Sequence, residues 1–334
     1  MKAMTIERFG GPEVFQASDL PEPAQGPGRA LVKVAATSVN PIDAKIRARG
    51  MGLCPPFPAI LHGDLSGIIV AIGEGVEAFA PGDAVFGCVG GAGMEQGALA
   101  QLVSVDARLL AKKPRSLSYA EAAALPIVGL TALRALRDRA ALREGESLLV
   151  LGAAGGVGHI ALQLGKAMGA SITGTASAGK LGHLRELGSR AFDYREGGHE
   201  AALLDASGGK GYDLVFDTVG GSSLDLAFRL AKSGGRVAAV AARSTHDLSP
   251  LHGKGLSLHV IFSLLPILTG EGRREAGRLT ADLAELADRG ELRPRLDARR
   301  FVLEEAGAAH ALWESGDAKG KIVIAVDPAL AMTV

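Results

Sequence analysis

The sequence predicts an α/β protein in which a β-rich domain precedes a doubly wound parallel sheet, and three observations predict it. Up to about residue 125, short strand-like runs are separated by prolines and glycines. From about residue 130, apolar runs alternate with segments of helical periodicity, which is typical of a parallel sheet covered by helices. One of these runs is joined to the next helix by a glycine-rich turn at residues 152–158.

The β-rich part contains four strand-like runs and only short helical segments. The runs are 30–36, 67–72, 83–87 and 99–105, and the helical segments are 42–49 and 118–125. Prolines and glycines end each run, because proline lacks a backbone donor and glycine favours turns. This pattern indicates an antiparallel β-rich domain, such as a partly closed barrel.

The following part alternates strands with helices. The strands are predicted at 147–151, 171–177, 214–216, 236–240 and 259–262, with helices at 129–139, 157–168, 180–187 and 222–232. The last strand is an edge strand that can pair with a second subunit, so we expect a homodimer or homotetramer. Two helices, 273–289 and 303–315, and a strand at 321–325 form a tail that we expect to return to the first domain.

Length and composition limit the class of protein. A chain of 334 residues exceeds the usual size of one domain, so two domains are expected. Lys and Arg number 36, as do Asp and Glu, which disfavours nucleic acid or an anionic membrane as partner. Two cysteines are too few for a disulfide framework. The N-terminus lacks the apolar core of a signal peptide and no apolar run could span a bilayer, so we expect a cytoplasmic protein.

The glycine-rich turn gives the first functional prediction. The run 147–151 is long enough for a strand buried on both faces, and apolar residues recur at helical spacing from Val157. Gly155, Gly156 and Gly158 allow a tight turn and close approach of the backbone to a ligand. Exposed N–H groups and the positive end of the helix dipole favour a pyrophosphate there. We therefore predict that Gly155, Gly156, Val157 and Gly158 bind a dinucleotide.

The next predicted strand indicates which dinucleotide binds. An NAD site usually places Asp or Glu about 20 residues beyond the glycine turn, where it holds the ribose hydroxyls. Here Thr175, Ala176 and Ser177 occupy that region, and Lys180 follows three residues later. No carboxylate repels a 2′-phosphate, whereas a hydroxyl and a cation attract it. We therefore predict NADPH as the cofactor; the alternative is that Lys180 is an ordinary surface lysine.

Four motifs give the chain a family resemblance over nearly its whole length. They are Asn40-Pro41-Ile42-Asp43-Ala44-Lys45-Ile46-Arg47, which matches N-P-x-D-x-K-x-R, His62-Gly63-Asp64-Leu65-Ser66-Gly67, Leu125-Pro126-Ile127-Val128-Gly129-Leu130-Thr131-Ala132-Leu133, and the turn 153–158. Together they resemble the medium-chain dehydrogenase/reductase superfamily, and within it the zinc-independent quinone oxidoreductase-like group. The resemblance implies a GroES-like β-rich catalytic domain at 1–125 with 267–334 and a doubly wound (Rossmann) cofactor domain at 126–266.

The resemblance also implies roles for individual residues. Asn40 would lie beside the nicotinamide, where its amide can donate to a carbonyl oxygen, and Thr131 would lie near the nicotinamide or its ribose. The other residues implied to contact the cofactor are Lys180 and Tyr194 at the 2′-phosphate, Val240, Ala241, Phe262, Ser263 and Leu264 mainly through the backbone, and Lys321 near the phosphates.

Local structure offers a second explanation for several of these residues. Asn40 precedes a proline, which is a common turn pair, and Asp43 can cap the helix that follows. Thr131 can cap or bond within its own helix, and Tyr194 can be an exposed loop residue. These alternatives stay open at the level of sequence.

The positions at which zinc-dependent relatives carry metal ligands hold other residues here. Asn40 occupies the place of a Cys, Gly63-Asp64 occupies that of a His followed by Glu, and the four-cysteine structural lobe is absent. A catalytic zinc needs about three Cys, His or carboxylate ligands around an open position. A site made from His62, Asp64 and Cys88 is the alternative, at a spacing without precedent. We therefore predict no metal, which disfavours alcohol dehydrogenation.

The remaining chemistry is hydride delivery to a polarised acceptor. The resemblance implies small planar conjugated carbonyl substrates, namely quinones and α,β-unsaturated carbonyls. Tyrosines found in some relatives near positions 46 and 52 are replaced by Ile46 and Gly52, so water is the expected proton source. We predict an NADPH-dependent, zinc-independent reductase of quinones or of enone and enal C=C bonds. The alternatives are a zinc-free alcohol or carbonyl dehydrogenase and a non-catalytic NADPH-binding protein.

Overall fold

The structure, a computed structural model, describes residues 1–334 and divides into two compact units. The first unit comprises Met1–Leu130 and Leu264–Val334, and the second comprises Thr131–Ser263. Each unit has its own sheets and its own hydrophobic core.

The N-terminal part of the first unit is rich in antiparallel strands, as the punctuated apolar runs predict. The strands are β1 (Lys2–Ile6), β2 (Gln16–Asp19), β3 (Arg29–Ser38), β4 (Ala59–Ile60), β5 (Asp64–Ile72), β6 (Ala84–Cys88), β7 (Leu102–Asp106) and β8 (Leu110–Lys112). Strands β2, β1 and β4 form a small sheet, and β3 is the centre of a larger one because it pairs antiparallel with both β5 and β7. This long central strand is mostly buried, since Val32, Val34 and the residues from 35 to 38 are covered.

The second unit is a six-stranded parallel sheet. Its strands are β9 (Ser147–Leu151), β10 (Ser171–Ala176), β11 (Arg190–Asp193), β12 (Tyr212–Asp217), β13 (Ala231–Ala239) and β14 (Ser257–Val260). They lie in the order β11-β10-β9-β12-β13-β14, which is the doubly wound arrangement with β9 next to the point where the strand order reverses. The central strand β9 is fully apolar from Leu148 to Leu151 because helices cover both faces of such a sheet.

The C-terminal segment belongs to the first unit. Strands β15 (Phe301–Val302) and β16 (Val323–Ala325) pair parallel with each other, and β16 pairs antiparallel with β3. This pairing joins the C-terminal segment to the long strand β3. The larger sheet of the first unit therefore has seven strands.

Twelve α-helices connect or cover these sheets. They are α1 (Pro41–Arg49), α2 (Tyr119–Ala123), α3 (Pro126–Leu133), α4 (Gly156–Ala167), α5 (Leu181–Glu186), α6 (His199–Ala206), α7 (Ser222–Leu230), α8 (Ser249–Lys254), α9 (Leu265–Thr269), α10 (Arg273–Asp288), α11 (Ala306–Ser315) and α12 (Pro328–Ala331). Helix α3 continues into a π-helical stretch at Arg134–Arg139. None of the helices is long and apolar enough to cross a membrane.

The predicted fold class is confirmed, with differences in detail. Strand β11, which the sequence pattern did not reveal, is short, and only Asp193 among its four residues is buried. The predicted edge strand at 259–262 begins and ends two residues earlier, as β14 at Ser257–Val260. It does lie at the edge of the sheet, next to β13.

Candidate active site

The glycine-rich turn joins β9 to α4 with the geometry that a phosphate site needs. Gly152 adopts a left-handed φ of 74°, and Gly155 is the N-cap of α4 without a side-chain hydrogen bond. A Cβ on Gly158 would lie 2.4 Å from the carbonyl oxygen of Gly152, so only glycine allows this close approach. Gly156 and Val157 are the first helical residues, and N–H groups of a first turn have no intrahelical acceptor. The four predicted residues thus form an N-terminal helix end suited to an anion.

A cavity of ≈ 790 Å³ lies beside this turn within the second unit. Its lining includes Gly155 of the predicted turn together with Ser177, Lys180 and Tyr194, whereas Gly156, Val157 and Gly158 are not among the lining residues. The volume is in the usual range of small-molecule sites. Its position at the carboxyl ends of parallel strands, next to the reversal of strand order, is where ligands bind in such sheets.

The acidic residues near this cavity are already engaged. Asp193 ends β11 opposite Ala176 of β10, and its carboxylate accepts the N–H of Arg195 at 2.9 Å. Glu200 lines the cavity, but both its oxygens accept from the guanidinium of Arg229, at 2.8 and 3.0 Å. Strand β10 itself ends without a carboxylate. The arrangement leaves no acidic side chain at the place where a ribose 2′-hydroxyl is usually held.

Arg195 is a cation that sequence reasoning missed. Its Cζ atom lies 5.5 Å from the ring centre of Tyr194, and its Nε donates to the tyrosine hydroxyl at 3.3 Å. Tyr194 is 47% exposed and lines the cavity, so Arg195 lies next to a lining residue. The sequence did offer a sign of it, because Arg195 directly follows Tyr194, which was itself predicted to contact the 2′-phosphate.

Asp217, at the end of β12, is a second residue that sequence reasoning missed. It is fully buried, and its carboxylate accepts from the N–H groups of Val219 and Gly220 and from the hydroxyl of Ser223, at 2.8 to 3.0 Å. Burial raises the pKa of Asp217, and these three donors oppose the rise. The carboxylate therefore fixes the loop after β12, of which Thr218 and Val219 line the cavity.

The remaining predicted residues of the second unit lie at its chain ends and after β13. Thr131 and Ser263 are brought together, with their hydroxyl oxygens 2.9 Å apart. The N–H of Val240 donates to the carbonyl of Asp217 at 3.2 Å, and Ala241 lies against Gly220. Phe262, also in the second unit, is 44% exposed. The two other residues predicted to contact the cofactor belong to the first unit: Leu264 begins its second segment, and Lys321 lies within that segment.

Asn40 is the N-cap of α1 in the first unit. Its backbone N–H donates to the carboxylate of Asp43 at 2.8 Å, so Asp43 does cap the helix as the alternative explanation held. Its side-chain amide donates to Asp64 Oδ2 at 2.8 Å and to the carbonyl of Ser38 at 3.3 Å. Both amide hydrogens are therefore used within the protein, and donation to a substrate carbonyl stays a prediction.

Lys321 is a buried cation in the same cluster. Its ammonium donates to Asn40 Oδ1 and to the carbonyl of Val39 at 3.1 Å, and it lies 3.8 Å from Asp64 Oδ2. Burial lowers the pKa of Lys321, while Asp64 and Asp43 raise it. With 5% of its surface exposed, Lys321 is held by these partners, so its predicted contact with cofactor phosphates stays a prediction.

Asp64 is the anion that holds this cluster together. Oδ2 accepts from Ser38 at 2.9 Å as well as from Asn40, and Oδ1 accepts the N–H of Ile127 at 2.8 Å. Ile127 lies in the first turn of α3, so Asp64 also meets the positive end of that helix. Sequence reasoning considered Asp64 only as a possible metal ligand, because the partners that define its role are distant in sequence.

The imidazole of His62 contacts His310 and Thr37. Its Nε2 lies 2.8 Å from Nε2 of His310, and its Nδ1 lies 3.2 Å from the hydroxyl of Thr37. Burial, then His310 and Lys321, lower the pKa of His62 well below its usual range, which leaves the ring neutral. No three His, Cys, Asp or Glu side chains are grouped to hold a metal ion.

Replacing Lys321 by methionine should destabilise the protein, because Asp64 would remain buried without its cation. We expect a loss of about 3 kcal/mol near neutral pH, measured as a lower thermal midpoint. The loss should become smaller as the pH is lowered, because burial raises the pKa of Asp64 and protonation of the unpaired carboxyl removes the buried charge.

The matched control is Lys33→Met, which breaks the more exposed Lys33–Asp327 pair, 2.8 Å long. That change should cost less than about 1 kcal/mol. Equal losses in the two variants would mean that burial adds nothing to the Lys321 pair.

Comparison with known proteins places the chain in a family. The Alcohol dehydrogenase GroES-like domain matches residues 26–115, and the Zinc-binding dehydrogenase family matches residues 187–324. Quinone oxidoreductase of Rattus norvegicus is 32% identical over 329 residues, which is 97% of each chain. A pikromycin polyketide synthase component of Streptomyces venezuelae is 40% identical over 235 residues, 68% of this chain but 6% of that protein.

A solved structure agrees with these relationships. An alcohol dehydrogenase superfamily protein from Novosphingobium aromaticivorans superposes with a TM-score of 0.93 at 39% identity, covering 98% of this chain and 100% of that one. The similarity in sequence thus extends over both units and is accompanied by the same fold. The chain belongs to the medium-chain dehydrogenase/reductase superfamily, in its quinone oxidoreductase-like group.

Proposed function

We propose that the protein is an NADPH-dependent reductase that works without zinc and reduces quinones or the C=C bond of enones and enals. The observation that carries the proposal is the cavity beside the glycine turn. It offers a helix N-terminus for the pyrophosphate, no free carboxylate after β10, and Ser177, Lys180 and Tyr194 among its lining residues. The full-length similarity to a rat quinone oxidoreductase supports quinones as acceptors.

The residues of the second unit fit a pyridine dinucleotide. Gly158 allows α4 to begin against the carbonyl of Gly152, and Gly152 and Gly155 leave the turn without side chains. Lys180, with Arg195 stacked on Tyr194, would hold a 2′-phosphate by charge-assisted hydrogen bonds. When bound, NADPH would supply the electron pair of the reduction.

The proposal assigns the two functions to the two predicted parts of the chain. Residues 126–266 would form the cofactor domain, and residues 1–125 with 267–334 the catalytic domain. In the cofactor domain, the Thr131–Ser263 hydroxyl pair and the backbone after β13 at Val240 and Ala241 would position the nicotinamide half. In the catalytic domain, the buried cluster around Asn40 would position the acceptor.

The proposal is tested by cofactor oxidation with a panel of acceptors. We expect NADPH to be oxidised in the presence of quinones or of enals and enones, followed by loss of its absorbance. Ketones, and alcohols with the oxidised cofactor, test for a carbonyl or alcohol dehydrogenase instead. Tight NADPH binding without turnover on any acceptor would favour a binding protein and contradict the proposal.

NADPH should bind at least about tenfold more tightly than NADH, a difference of about 1.4 kcal/mol. Lys180→Ala should weaken NADPH selectively, because NADH has no 2′-phosphate to lose. Dissociation constants from fluorescence titration measure both effects, and Lys210→Ala, an exposed lysine outside the cavity lining, is the control. An equal loss for both cofactors would show that Lys180 does not contact the 2′-phosphate.

Chelators should leave the activity unchanged, because no metal takes part in the proposed reaction. Elemental analysis of the purified protein should accompany the assay. Stoichiometric zinc, or activity lost on chelation and restored by zinc, would contradict the proposal.

A further inference from the structure

Two buried carboxyl groups of the first unit differ in their partners. Asp64 is surrounded by donors: Ser38, the amide of Asn40 and the N–H of Ile127, with the ammonium of Lys321 at 3.8 Å. The groups that hydrogen-bond Asp43 all belong to one residue, Asn40, and its backbone N–H donates at 2.8 Å. A pair of nearby acids in such unequal surroundings carries its negative charge on the member that has more hydrogen-bond donors and the closer cation. That member is Asp64.

Asp43 lines a small cavity whose walls come from the first unit. The other walls include Asn40, Asp64, Cys88 and the glycine loop at 90–91. The cavity measures ≈ 10 Å³, close to the space that one water molecule needs. The carboxyl group of Asp43 therefore borders a space in which one water could pass its proton on, beside Asn40.

The electrostatics agree with this geometry. Burial and the charge of Asp64 raise the pKa of Asp43 to about 7, against opposing contributions from Asn40 and Lys321. Burial also raises the pKa of Asp64, but Lys321 and three hydrogen bonds oppose it. Asp43 is accordingly the acid that keeps its proton up to about neutral pH.

We infer that Asp43 is the acid that returns a proton to the reduced acceptor, an inference that rests on the proposed reductase function. Bound NADPH would supply the electron pair and one hydrogen, and the acceptor would become an oxyanion or enolate. The O–H bond of Asp43 breaks, its proton bonds to that anion, and the carboxylate left behind recovers a proton from water. The carboxyl group of Asp43 would thus take the place of a tyrosine hydroxyl, which is absent at Ile46 and Gly52.

The charged and titratable groups near Asp43 come from three other elements. They are Asp64 of β5, Cys88 of β6 and Lys321 just before β16. On its own helix, Arg47 is occupied by Glu314 and by the carbonyl of Gly10. In a pH titration of the rate, the limb assigned to Asp43 must therefore be separated from those of Lys321 and Cys88.

The kinetic test compares Asp43→Asn with Glu121→Gln. The asparagine keeps an acceptor for the N–H of Asn40 but cannot give up a proton. Glu121 holds the same third position of its helix α2 and accepts the N–H of Ser118 at 2.9 Å, away from the cavity. We expect Asp43→Asn to lower kcat by about 10²-fold or more while the Kd for NADPH is unchanged. Glu121→Gln should leave kcat unchanged.

The pH profile identifies the group. The wild-type kcat should fall as pH rises through about 7, because Asp43 loses the proton it must donate. In Asp43→Asn this limb should be absent. An Asp43→Asn variant with kcat within about threefold of wild type and the same limb would overturn the inference.

Infrared titration gives a readout that does not need turnover. The wild-type holoprotein should show a protonated carboxyl band that titrates near neutral pH and is missing in Asp43→Asn. A wild type that turns over but lacks the band overturns Asp43 as the acid and leaves the reductase function intact. A wild type that shows the band but oxidises no NADPH overturns the reductase function and the donor role with it.

Discussion

The carboxylate of Asp64 joins parts of the first unit that are far apart in sequence. It accepts from Ser38 at the end of β3, from Asn40 at the start of α1 and from Ile127 in α3, and it pairs with Lys321 before β16. A charge is buried at acceptable cost only when it is paired and hydrogen-bonded. Because these partners come from three distant parts of the chain, residues 38–40, 127 and 321, Asp64 can be buried only after all three have come together around it. The buried pair therefore depends on the return of the C-terminal segment to β3.

The second unit depends on a different constraint, the order of its parallel strands. With β9 beside both β10 and β12, the carboxyl ends of these three strands meet at one edge of the sheet. Gly152 follows β9, Ser177 follows β10 and Thr218 follows β12, and all three line one cavity. The cavity thus arises from topology, since these residues are distant in sequence. Its glycine turn is a local feature, because Gly158 must lie against the carbonyl of Gly152 for α4 to begin there.

These two constraints explain how much could be predicted from the sequence. The sheet of the second unit was predictable because strand, turn and helix signals are local, and the turn at 155–158 lies where its motif indicated. A motif singled out Lys321, but its partners Asn40 and Asp64 were not foreseen. Asn40 and Asp64 lie in the N-terminal part of the chain and Lys321 lies near its C-terminus, so no local pattern indicates these contacts. Strand β11 escaped notice because its four residues, Arg190–Asp193, have little apolar pattern. Arg195 and Asp217 escaped because their importance depends on neighbours in space.

The motif from Asn40 to Asp43 shows why a structural and a chemical role need not exclude each other. To cap α1, Asp43 must supply one oxygen lone pair to the N–H of Asn40, and a protonated carboxyl group does this through its carbonyl oxygen. The hydroxyl of the same group then remains available as a donor. The helix N-terminus favours the anion and would by itself lower the pKa of Asp43. Burial and the fixed charge of Asp64 outweigh that effect, so the cap can be held by an acid that carries its proton near neutral pH.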